Sequence, residues 1–149
     1  MNEISNSWKL KYLNLAKQIS AWSKDPSTKV GCVAIGNHGQ VLSQGYNGFP
    51  RGILDSEDKL NNKNIKYKYM VHAEMNCIYH ASINGVSLLN SHFFVYGLII
   101  CHECAKGIIQ VGVKKVYMKK YKSIPDQWKK SYALTKKLFN EAGVEFEEI

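Results

Sequence analysis

Apolar side chains recur at Trp8, Tyr12, Leu15, Ile19 and Trp22, in steps of four and three that lay one stripe along a helix. Ser5, Asn6 and Ser7 offer N-caps, and Asp25-Pro26 closes the run, because a residue before proline avoids helical torsions. The pattern then changes to that of a hairpin: a strand over Val30–Ile35, a turn at Asn37-His38-Gly39, and a return strand over Val41–Gly45. From Tyr46 to Lys68 polar and charged residues dominate, which reads as one long loop, and loops of that length usually carry function. Its start, Gly45-Tyr46-Asn47-Gly48, has the small residues that let a backbone come close to a ligand.

Helical and strand patterns alternate beyond the loop. A helix over His72–Ser82 stops at Asn84-Gly85; a strand follows over Phe93–Gly97. A helix over Cys101–Gln110, a strand over Val113–Met118, a helix from Pro125 to Glu141 and a short strand over Val144–Phe146 complete the chain. The order α-β-β-α-β-α-β-α-β predicts an α/β fold with a mixed five-stranded sheet flanked by helices, in one domain over residues 1–149.

Composition narrows the function classes. Hydrophobic residues at 45% and charged residues at 21% exclude a disordered chain. No apolar run reaches the roughly 18 residues of a membrane helix, and no secretory signal opens the sequence, so a cytoplasmic protein without a membrane partner is expected. In that setting Cys32, Cys77, Cys101 and Cys104 are thiols or metal ligands rather than disulfides. The net charge of +8 favours an anionic partner. Arg51 is the single arginine, however, which disfavours a dedicated nucleic-acid reader.

Two motifs carry chemistry: His72-Ala73-Glu74 and Cys101-His102-Glu103-Cys104. Cysteines three apart on a helix differ by about 60° and lie roughly 5–6 Å apart at Cβ, so both sulfurs can grip one ion. A helix N-terminus also favours the thiolate. His72 completes the three-ligand set of a catalytic zinc with an open position. Two thiolates and an imidazole leave such an ion without net charge, so its water needs a base, and Glu74 is the candidate. In mid-helix, residues two apart point about 200° from each other, so His72 and Glu74 share a site only where a helix begins. A histidine, any residue, a glutamate, and later Pro-Cys-x-x-Cys is the signature of zinc deaminases, with the glutamate moving protons rather than holding metal; all but the proline is present here. A structural zinc needs a fourth ligand. Cys32 and Cys77 read as small hydrophobes, His38 lies in a turn, and His80, His92 and His102 read as structural or surface residues.

Longer segments extend the match. Lys24-Asp25-Pro26-Ser27-Thr28-Lys29-Val30-Gly31, Gly45-Tyr46-Asn47-Gly48-Phe49-Pro50, Lys68 to Asn76, Cys101 to Gln110 and Phe139 to Val144 resemble the deoxycytidylate deaminases of the cytidine deaminase superfamily. The resemblance implies a three-layer cytidine-deaminase-like fold and a zinc-dependent hydrolysis of dCMP to dUMP. Implied too are a homo-hexamer and allosteric control, with dCTP activating, dTTP inhibiting and Mg2+ on the triphosphate. It places the effector site around Gly45, Tyr46, Asn47 and Gly48, a sugar contact at Asn47, and an aromatic near the pyrimidine at Tyr121. Backbone groups at Ala73 are expected to fix the base edge, and Lys29 and Arg51 are candidates to meet phosphates.

Three departures stand against the family pattern. Ile100 replaces the proline before the first cysteine, which predicts altered local geometry without loss of zinc. The segment between Gly48 and His72 has no cysteine or histidine, so one zinc per chain is expected. Ile83 stands where some phage relatives have an arginine. The competing reading is a nucleic-acid-editing deaminase acting on tRNA or single-stranded DNA, motivated by the charge and opposed by the lone arginine.

Overall fold

The computed structural model describes residues 3–149. Its elements are α1 (Asn6–Ser20), β1 (Gly31–Ile35), β2 (Val41–Tyr46), α2 (Glu57–Asn61), α3 (Lys63–Tyr69), α4 (Ala73–Ile83), β3 (His92–Tyr96), α5 (His102–Gln110), β4 (Lys115–Met118), α6 (Asp126–Ala142) and β5 (Glu145–Glu148). The five strands form one mixed sheet in the order β2-β1-β3-β4-β5. β1 is antiparallel to both β2 and β3, whereas β3, β4 and β5 run parallel, joined by the α5 and α6 crossovers.

Side-chain alternation along the strands splits the core in two. Cys32, Ala34, Phe93, Val95, Val116 and Met118 face the layer that holds α4, α5 and α6. Val33, Ile35, Phe94 and Tyr117 face Tyr12, Ala16 and Ile19 of α1. Covered on both faces, β1 is buried along its whole length, as expected for a strand in a three-layer α/β fold.

Four sequence expectations change. The buried stripe of α1 runs through Lys9, Tyr12, Leu13, Ala16 and Ile19, while Trp8 and Trp22 are about half exposed. Lys9 takes a place that hydropathy gave to Trp8: its stem packs inward and its ammonium reaches Glu147 at 2.9 Å. The helix also ends at Ser20, well before Pro26. The polar segment after Tyr46 contains two short helices, α2 and α3. They lack an apolar stripe and start instead from capping side chains, Ser56 on Lys59 N–H and Asn62 on Asn64 and Ile65 N–H. Pro125 is the N-cap of α6 rather than its first residue.

Strand register brings distant segments to one edge of the sheet. Gly31 is level with both Tyr46 and Tyr96, so the segment 25–30, Asn47 and the segment 97–101 emerge together. They pass so closely that a Cβ on Gly97, whose φ is 120°, would meet Lys29 O at 2.1 Å.

Candidate active site

The N-termini of α4 and α5 point into this edge. His72 is the N-cap of α4, with extended torsions φ −70° and ψ 154°, so it precedes the helical turn that carries Ala73 and Glu74. That break in direction lets His72 and Glu74 line one cavity although they stand two residues apart. A bridge between Gly48 and Val71 holds the approach to His72 (Gly48 N–H to Val71 O 3.1 Å, Val71 N–H to Gly48 O 2.8 Å). Cys101 is the N-cap of α5, and its sulfur accepts the Cys104 N–H at 3.4 Å. Ile100, in place of a proline, is fully buried, and its carbonyl accepts the Thr135 hydroxyl at 2.8 Å. A tertiary hydrogen bond thus fixes the turn into the first cysteine.

Among the described residues, His72, Cys101 and Cys104 bring one ligand atom each within 4.8 Å of one another. His72 Nδ1 lies 3.4 Å from Cys101 Sγ and 3.3 Å from Cys104 Sγ. Tetrahedral zinc with ordinary Zn–S and Zn–N bonds separates such atoms by about 3.6 Å, so the three side chains fit one ion with adjustments of a few tenths of an ångström. Their electrostatics agree. Hydrogen bonds from Cys104 and His72 lower the Cys101 thiol to about 4, and the Cys101 partner raises His72 to about 9. The hydrogen bond with Cys101, helped by burial, pushes Cys104 up. A divalent cation bound here would hold both sulfurs as thiolates.

Glu74 is buried at the floor of the same cavity. Burial raises its carboxyl above the usual carboxylate range, against the lowering effect of His72. It belongs to no ion pair among the described residues. A carboxyl held above the ordinary carboxylate range beside a cluster of metal-ligating side chains is suited to taking up and returning a proton.

The cavity encloses about 260 Å³. A second, polar part of the lining joins Asp25 and Asn47, both within segments of the family resemblance, to Lys66, which the sequence motifs do not single out. Asp25 accepts Ser27 N–H at 2.8 Å and Thr28 N–H at 3.2 Å, and pairs with Lys66 Nζ at 3.1 Å. Asn47 accepts Val30 N–H at 2.9 Å and donates to Thr28 O at 2.9 Å. Asp25, Asn47 and Lys66 are all buried. Trp128 and Gln127, at the start of α6, close another side. The available signals were the Asn62 cap, which sets α3 in register, and the Pro125 start of α6.

Of the residues expected at the site, the structure brings Glu74, His72, Cys101, Ala73 and Asn47 to the cavity, with Cys104 directly behind. Tyr121 does not line it; its hydroxyl accepts Gly97 N–H at 2.7 Å and so supports the segment that does. Lys29 turns away, its ammonium on Ser23 O. Arg51 lines a second cavity with Gln44, His80 and Asn84. Gly45 has a packing reason to be small: a Cβ there would meet Cys77 N at 2.3 Å and Ala73 O at 2.5 Å, so it admits α4 against β2. Tyr46 packs edge-on to Trp22 at 6.0 Å, and its carbonyl accepts Asn76 Nδ2 at 2.8 Å.

Comparison with known proteins agrees with this geometry. Residues 6–120 match the family model described as the cytidine and deoxycytidylate deaminase zinc-binding region. An uncharacterized deaminase of Aliivibrio fischeri is 36% identical over 143 residues, covering 94% of this chain and 92% of that one. Human deoxycytidylate deaminase is 34% identical over 149 residues, covering 93% and 78%. Among solved structures, dCMP deaminase from the cyanophage S-TIM5, in complex with dCMP and dUMP, superposes with a TM-score of 0.79 at 28% identity, covering 99% and 100%.

Proposed function

The chain belongs to the cytidine and deoxycytidylate deaminase family, and from that premise we propose that it hydrolyses the amine of dCMP, giving dUMP and ammonia. The observation that carries this reading is a buried carboxyl, Glu74, set beside a His72–Cys101–Cys104 cluster on the floor of a cavity. The similarity to a dCMP deaminase structure supports the choice of nucleotide.

His72, Cys101 and Cys104 would hold one zinc ion per chain, which when bound supplies the Lewis acidity that makes water nucleophilic at neutral pH. Glu74 carries both protons given up by the attacking water, one to the ring nitrogen beside the amine-bearing carbon and the second to the amine, which departs as ammonia as the carbonyl forms. The backbone at Ala73 orients the base edge. Asn47 donates to Thr28 O and Asp25 and accepts from Val30 N–H, which leaves one lone pair of its amide oxygen to accept from a sugar hydroxyl. Tyr121 and Lys29 act through the backbone they hold, at Gly97 and Ser23.

Regulation belongs to the same proposal. The segment Gly45–Gly48 joins the active edge to the second cavity, where Arg51 offers a cation to a triphosphate. Activation by dCTP with Mg2+, inhibition by dTTP, and a homo-hexamer are the expected behaviour.

Ammonia release from dCMP, dCTP, deoxycytidine and CMP by zinc-loaded protein tests the reading, with dCTP and dTTP added in turn. Turnover of dCMP above the others is expected. Protein carrying one zinc per chain that turns over neither dCMP nor dCTP would overturn it. Oligonucleotide binding at moderate salt would favour nucleic-acid editing instead.

A further inference from the structure

We infer that Lys63 is the phosphate anchor of the substrate cavity and that it selects nucleoside monophosphates over free nucleosides. The inference rests on the deaminase reading and gives its site a second group of contacts.

Two separate groups of polar side chains line the cavity. One is His72, Glu74 and Cys101; the other is Ser27 and Lys66, joined through Asp25, with Lys63 one helical turn before Lys66 on α3. Among the described residues, Lys63 and Lys66 are the only lysine or arginine side chains on its walls. Of the cations that sequence alone nominated, Lys29 is bound to Ser23 O and Arg51 lines the second cavity instead.

The two lysines differ in availability. Lys66 is buried and already neutralised by Asp25 at 3.1 Å. The Asp25 carboxylate is in turn saturated by Ser27 N–H, Thr28 N–H and Lys66, with Asn47 Nδ2 at 3.5 Å. That group is a closed unit with no net charge. Lys63 sits in the first turn of α3 and is exposed. It makes no ion pair or side-chain hydrogen bond among the described residues. Its charge is therefore the one a dianion entering the cavity would meet uncompensated. The Ser27 hydroxyl and the remaining N–H groups of the Lys66 ammonium supply neutralised donors around it. A ligand with a flat base at one end and a doubly charged group at the other fits this layout. A free nucleoside leaves Lys63 without a partner.

The test compares dCMP with deoxycytidine in Lys63→Ala, Lys63→Glu and Lys63→Arg. Lys130→Ala, an exposed lysine on α6 outside the cavity lining, controls for loss of one positive charge. Loss of a charged contact to phosphate should lower the dCMP-to-deoxycytidine ratio of kcat/KM at least about tenfold in Lys63→Ala. Lys63→Glu should lower it further, and Lys63→Arg should recover most of it. Calorimetric affinity for dUMP relative to deoxyuridine should follow the same order, which separates binding from turnover. An unchanged ratio in Lys63→Ala and Lys63→Glu would overturn the inference. So would an equal fall in Lys130→Ala, which would mean general electrostatic attraction. If the wild-type protein deaminates nothing, the deaminase reading fails, and the dUMP titrations still decide whether Lys63 holds phosphate.

Discussion

The wall built from His72, Glu74, Cys101 and Cys104 and the wall built from Asp25, Asn47 and Lys66 face one cavity but are assembled by different means. The first uses short spacings at two helix starts. Within each motif the residues are two or three apart, and backbone torsions at the N-caps aim them. The second uses side chains far apart in sequence, with Lys66 reaching Asp25 across 41 residues and Asn47 reaching Val30 across 17. Chemistry in this molecule is local, and the wall that would shape substrate choice is tertiary. The two walls should accordingly fail in different ways.

The largest effect is expected on the first wall. Glu74→Gln should lower kcat on dCMP by about 10²–10⁴-fold, the usual range for losing a positioned acid–base group. Zinc content, by elemental analysis, should stay at the wild-type level, because Glu74 is not among the three clustered ligand groups. Loss of metal in this variant would show that the carboxyl holds the site together rather than moving protons.

On the second wall the expected damage is to stability. Lys66→Met leaves Asp25 buried with its positive partner gone, and removing one member of a buried pair costs about 3–5 kcal/mol. Asp25→Asn combined with Lys66→Met removes both charges and should recover part of that loss. Urea denaturation of the single and double variants measures the difference. A double variant no more stable than Lys66→Met alone would mean that the pair is not what holds segment 25–30.

The same contrast explains what was legible in the sequence. The zinc motif, the hairpin and the strand–helix alternation from Phe93 onward follow from periodicity and spacing, and the structure has them. The wall formed by α3 was read as loop because Lys63–Tyr69 has no apolar stripe; its helix depends on the Asn62 cap and on the Lys66–Asp25 pair. The buried face of α1 was misplaced by one position because Lys9 buries its stem under an ion pair with Glu147, which hydropathy cannot register. At Gly45 the close approach of α4 to β2 requires the absence of a Cβ, a packing demand that the motif alone does not disclose.

A smaller effect sharpens the boundary between the walls. Thr135, fully buried on α6, donates to the Ile100 carbonyl just before the first cysteine, where a proline would have stiffened the turn. Thr135→Val keeps the shape and removes the donor, which costs about 1–3 kcal/mol for an unsatisfied buried carbonyl. Weaker zinc retention against a chelator is expected along with lower stability. If stability falls while zinc retention does not, the bond supports α6 alone and the turn holds its shape without help.

The smallest effect concerns the far end of the sheet, where β3 begins. His92 is buried, stacks on Tyr117 at 6.1 Å, and has no partner for either ring nitrogen among the described residues. Burial, reinforced by Lys114 and Lys115 and opposed by Glu145, holds its pKa below the usual histidine value. The unfolded chain therefore binds a proton at higher pH than the folded one. Above pH about 6.5 both states are neutral and His92 adds no pH dependence. As pH falls below that value the unfolded state gains a proton first, so stability drops, by at most about 1.4 kcal/mol per pH unit for one site, until the folded pKa is passed. His92→Phe retains a ring against Tyr117, and His92→Leu guards against overpacking. Both should lose this part of the acid slope in denaturation followed from pH 7 to pH 5, and both should keep dCMP turnover at neutral pH, since His92 lies at the end of β3 opposite the cavity. A slope equal to wild type in both variants would assign the acid sensitivity to other groups and remove His92 from the account.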